Sequence, residues 1–73
     1  MFEAIAKKIH DAATNNTKIA MFHLQVLQNA QDLANVDPIE FCRMVKVRES
    51  YATEFRKMLS LARLMQEQGI SLK

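Results

Sequence analysis

The sequence predicts an all-α protein of three to four helices, and three observations point that way. Apolar residues recur at three- and four-residue spacing along most of the 73 residues, the signature of helices with one buried face. The chain has one Gly and one Pro, each where a helix would stop or start. Its 49% apolar and 25% charged residues, with no Trp, match a globular helical chain better than a disordered or β-rich one. A chain this short makes one domain, 1–73, whose lone core is marginal because a small fold hides a modest share of its surface. Self-association is therefore expected.

Phe2, Ile5, Ile9, Ala12 and Ala13 recur at helical spacing. Ala20, Leu24, Leu27, Ala30 and Ala34 continue the stripe, with Val26 and Leu33 beside it. The polar patch Thr14-Asn15-Asn16-Thr17 interrupts this face, and Asn or Thr there can cap a new helix. One long helix over 2–34 and two helices broken near Asn15 both fit.

The next boundary is sharper. In Val36-Asp37-Pro38-Ile39-Glu40, Asp37 is placed to cap, Pro38 takes the first helical position, where its missing amide costs nothing, and Glu40 completes a box-like arrangement. The helix from Pro38 is short, because Lys46-Val47-Arg48 leads to a second start with Arg48, Glu49 or Ser50 as cap. Tyr51, Ala52, Phe55, Met58, Leu59, Ala62 and Met65 then mark a helix to about Gln68, and Gly69 stops it. Residues 69–73 form a tail.

Phe41 to Phe55 resembles the helix-turn-helix of small bacterial and phage DNA-binding proteins, a resemblance covering residues 38–60. Phe41, Val45, Val47, Ala52 and Phe55 fit the apolar places where two such helices press together, and Cys42 fits the small one. The turn position, commonly Gly because the backbone there is left-handed, holds Lys46, at a cost of order 1 kcal/mol. The resemblance implies that the helix from about Ser50 enters the major groove of double-stranded DNA. Arg48, Ser50, Thr53 and Lys57 are then the groove residues, and Arg43, Lys46, Arg56 and Arg63 neutralise phosphate. Glu49, Ser50, Thr53, Glu54, Arg56, Lys57 and Ser60 are expected to face outward, and the two carboxylates among them count against a polyanionic partner. The same two helices joined by a tight turn also occur as plain packing units.

Charge is distributed unevenly, which fits a nucleic-acid-facing half and, almost as well, a solvated face with no anionic partner. Residues 1–40 hold Lys7, Lys8 and Lys18 against Glu3, Asp11, Asp32, Asp37 and Glu40, a balance of −2. Residues 41–73 hold Arg43, Lys46, Arg48, Arg56, Lys57, Arg63 and Lys73 against Glu49, Glu54 and Glu67, a balance of +4.

No catalytic, metal or cofactor site is expected. His10 and His23 lack further ligands at useful spacing, and Cys42 reads as a small packing residue inside a helix. The single cysteine and the lack of a long apolar run fit a cytoplasmic protein without a membrane span. Met21, Met44, Met58 and Met65, with Phe22 and Leu61, exceed what one thin stripe requires. They form either a core packed on both flanks or a partner surface, and a homodimer would serve both needs while setting two recognition helices one DNA turn apart. The functional expectation is a non-enzymatic transcriptional regulator of phage or mobile-element type, with residues 1–35 building core and dimer contacts. The alternative is a small inhibitor or adaptor that turns its helical surface on a partner protein.

Overall fold

The computed structural model describes residues 1–72; of the expected tail, Lys73 lies outside them. Five α-helices follow one another: α1 (Phe2–Ala12), α2 (Lys18–Gln28), α3 (Ala30–Leu33), α4 (Pro38–Met44) and α5 (Ala52–Glu67). Short 3-10 turns occupy Ala13–Asn15 and Glu49–Tyr51, and no strand occurs among the described residues.

The N-terminal ambiguity resolves into two helices broken at Asn16, whose backbone is left-handed at φ 58. Asn tolerates that region better than most residues, because its short polar side chain bonds locally. The expected side-chain cap does not form. The Thr17 hydroxyl instead donates back to the Ala12 carbonyl at 3.2 Å, closing the end of α1. A second break separates α2 from α3 at Asn29, whose side-chain amide donates to the Gln25 carbonyl at 2.8 Å. Such a bond offers the backbone an alternative to helix, and α3 is left as a single turn.

α4 starts as its sequence dictates. The Glu40 amide donates to the Asp37 carboxylate at 3.0 Å, with Pro38 in the first turn. α5 runs to Glu67 and is closed by Gly69 at φ 72. Gly69 N–H donates to the Gln66 carbonyl and Ile70 N–H to the Met65 carbonyl, the paired bonds of a Schellman closure.

The core is built from Ile5 and Ile9 of α1, Phe22 and Val26 of α2, Leu33 of α3, Phe41 and Val45 of α4, and Phe55 of α5. The Phe41 and Phe55 rings lie 4.6 Å apart by centroid, and Phe22 meets Phe41 edge-on at 5.8 Å and Tyr51 at 5.1 Å. The stripe expected on α2 is corrected here: Ala20, Leu24 and Ala34 are exposed, while Phe22, Val26 and Leu33 face inward. Phe22 and Leu24 point to nearly opposite sides of a helix, and the face with the aromatic ring hides far more apolar area. Phe22, expected among the surplus residues, is therefore central, while Leu24 is left exposed and Leu27 and Ala30 are half-buried.

Candidate nucleic-acid interface

α4 and α5 are joined by a turn that rests on one backbone conformation. After α4, Lys46 is left-handed at φ 61. Its N–H donates to the Arg43 carbonyl at 3.2 Å, and the Val47 N–H to the Cys42 carbonyl at 3.0 Å. This is again a Schellman closure, and it needs a left-handed residue at the Lys46 position. Val45, Cys42, Ala52 and Phe55 are buried and Val47 half-buried, so the apolar places of the motif fill the seam as the sequence indicated. Arg48, extended at φ −62 and ψ 145, then leads into the 3-10 turn that opens α5; it makes no side-chain cap bond.

A third contact holds the turn from outside the motif. His10 of α1 donates from Nε2 to the Val45 carbonyl oxygen at 2.8 Å, satisfying an acceptor that the end of α4 leaves without a helical partner. Thirty-five residues separate the two, so no local pattern announces the pair.

The seven residues expected to meet DNA, Arg43, Lys46, Arg48, Ser50, Thr53, Arg56 and Lys57, are all exposed. Their electrostatic surroundings differ. Arg43 donates from Nε to Glu49 Oε2 at 3.0 Å, and that bond and charge raise its already high pKa. Lys57 lies 3.5 Å from Glu54. Lys46, Arg48 and Arg56 have no carboxylate within 4 Å among the described residues.

Glu54 was expected to face outward and is instead half-buried. His23 of α2 donates to its Oε1 at 2.8 Å, and this hydrogen bond, reinforced by Lys57, holds the Glu54 carboxyl below its usual range. Neither carboxylate is therefore a loose anion on this face. Each is tied to a cation or a histidine. The ammonium of Lys18 also sits 5.8 Å over the Tyr51 ring, joining α2 to the start of α5.

Cys42 is fully buried, and burial, with Glu49 adding to it, pushes its thiol pKa up against the opposing charge of Arg56. A thiol so placed is a packing group and a poor nucleophile. Among the described residues no three His, Cys, Asp or Glu side chains converge to hold a metal ion.

The short α4, the left-handed turn and the longer α5, whose first turns expose Thr53, Arg56 and Lys57, form a helix-turn-helix, and the family model of the HTH-like domain matches residues 1–68. The chain belongs to that family. The match spans nearly the whole chain, so α1 and α2 are part of the HTH-like domain and do not form a separate appendage. The contacts of His10 with Val45 and of His23 with Glu54 show how they belong to it physically. Neither the curated proteins nor the solved structures compared with this HTH-like domain gave a match. No described helix is long and apolar enough to cross a membrane.

Proposed function

We propose that this HTH-like domain binds double-stranded DNA and acts without catalysis, as a transcriptional regulator of the kind phages and mobile elements encode, working in the cytoplasm. The observation that supports this reading is the cluster of exposed cations without carboxylate partners, Lys46, Arg48 and Arg56, beside the exposed hydroxyls of Ser50 and Thr53. Cations of this kind release counterions from phosphate, and Arg with Ser or Thr can read base edges in the major groove. Arg43 and Lys57 contribute less, because each must leave a carboxylate to reach phosphate. In this reading Ser50, Thr53 and Arg48 face the groove, Lys46 and Arg56 grip the backbone, and a homodimer supplies two such units.

Affinity for duplexes selected from a random pool, measured across a range of salt concentrations, tests the proposal. The logarithm of the affinity should fall with the logarithm of salt at a slope of about −2 per protomer, one unit for each of the two cations on the phosphate backbone. Replacing Lys46 and Arg56 by Ala should flatten that slope by about 2, whereas Arg48→Ala should relax the choice among duplexes. No selection of any duplex, or a binding constant indifferent to salt, would leave the protein-directed adaptor as the better reading.

A further inference from the structure

Two apolar stripes leave the core uncovered. Leu24 of α2, with Ala20 beside it, is exposed, and on α5 Leu61 is 39% and Leu64 51% exposed. At about 100° per residue, Leu64 projects opposite to Phe55, the residue that buries α5 in the core, and Leu61 about 120° from it. Both keep more than a third of their surface exposed. We infer that this outer face of α5 is where a second copy of the chain docks, the two α5 helices running antiparallel with Leu61 of each against Leu64 of the other.

Three features favour a second copy over an unrelated partner. The first is charge. In a register centred between residues 62 and 63, Lys57 of one copy comes within a turn of Glu67 of the other, and the pair occurs twice by symmetry. Within one chain these two residues are ten apart, about 15 Å along the helix, and cannot meet. A patch with its cation at one end and its anion at the other is complementary to its own reverse, as a two-fold interface requires.

The second is distance. At about 1.5 Å per residue, this register sets the two Thr53 residues about 30 Å apart and the two Ser50 residues nearly 40 Å apart, on either side of the roughly 34 Å turn of DNA. The third is direction. Arg56 and Arg63, two turns apart on one face of α5, point roughly 120° around the helix from the Leu61 and Leu64 pair. Docking along the leucines therefore leaves those arginines open to one side of the dimer. The inference rests on the DNA reading only for the spacing; the self-complementary face stands without it.

Sedimentation of the full chain without DNA is the test. The wild-type chain should be a dimer at high micromolar concentration. Leu61→Glu with Leu64→Glu should shift it to monomer, at least a hundredfold in Kd, with the helical circular dichroism unchanged because both side chains face solvent. Lys57→Glu and Glu67→Lys should each weaken the dimer several-fold, and together they should restore it, which no contact within one chain can do. A wild-type chain that stays monomeric at millimolar concentration overturns the inference. So does a dimer indifferent to the leucine changes, and failure of the double charge reversal to restore association overturns the antiparallel register. A dimer that selects no duplex leaves this interface standing and removes the DNA reading, so the two failures are separable.

Discussion

His10 and Val45 are joined by a single hydrogen bond, imidazole Nε2–H to carbonyl oxygen at 2.8 Å, and through it the first helix holds the turn of the motif. The acceptor lies one residue before the left-handed Lys46, where a small change in backbone direction swings the whole of α5. His10→Ala should therefore cost about 1 kcal/mol, the usual net worth of such a bond. Urea unfolding reads that loss. Faster amide exchange at Lys46 and Val47 than elsewhere in the motif would show that the loss is felt at the turn.

Lys46 itself is held where a side chain is a burden. A left-handed residue other than Gly costs about 1–2 kcal/mol, part of which Gly returns through its greater freedom in the unfolded chain. Lys46→Gly should then raise stability by about 0.5–1 kcal/mol. If Lys46 grips phosphate, the same change should weaken DNA binding and lower the salt slope by about 1. A variant both more stable and weaker in binding would explain why the position is not Gly; unchanged binding would leave the strain without a function.

The α2 core is the clearest place to compare sequence with structure. Phe22→Ala should cost about 3–5 kcal/mol, because the ring is fully buried between Phe41 and Tyr51, whereas Leu24→Ala should cost well under 1 kcal/mol. Chemical denaturation of the two variants separates them. The stripe read from the sequence runs through Leu24, but Leu24 and Phe22 both begin helical stripes and spacing cannot say which one meets the rest of the protein. α4 was legible because its start is written locally in Asp37, Pro38 and Glu40, and the stop at Gly69 likewise. The positive-φ turn at Lys46 was implied by the helix-turn-helix resemblance that the apolar residues around it carry. The exposure of Ser50, Thr53, Arg56 and Lys57 followed from the spacing of Ala52, Phe55 and Leu59, but the same spacing put Glu54 outward, and it is half-buried. What could not be read were contacts across 35 and 31 residues, His10 with Val45 and His23 with Glu54, because they depend on how α1 and α2 lie against the motif.

Glu54 gives the protein an acid limb to its stability. Its carboxyl is held below the ordinary value of 4.5 in the folded state, first by the bond from His23 and then by Lys57. A folded pKa below the unfolded one contributes stability that is present above the unfolded value and is lost as pH falls through the folded one. The midpoint of urea unfolding should hold from neutral pH down to about 4.5 on account of this group and fall below it. Glu54→Gln should flatten that part of the profile. An identical acid limb in wild type and variant would place its origin in another carboxyl.

Glu49 restrains a cation that the DNA reading would use. Its carboxylate accepts from Arg43 Nε at 3.0 Å on a solvent-exposed surface, where ion pairs contribute little to stability. Glu49→Gln should therefore change stability little. It also removes a negative charge from the face proposed to meet phosphate and frees the Arg43 guanidinium. DNA affinity should rise, and the salt slope should steepen by about 1 as one more phosphate contact forms. The gain should be similar for all duplexes, because a phosphate contact has no sequence to read. Arg43→Ala in the Glu49→Gln background should abolish the extra slope. Were Glu49→Gln to weaken binding instead, Glu49 would have to act as an acceptor for a base, and the groove-facing set would move from Ser50 and Thr53 toward the 3-10 turn.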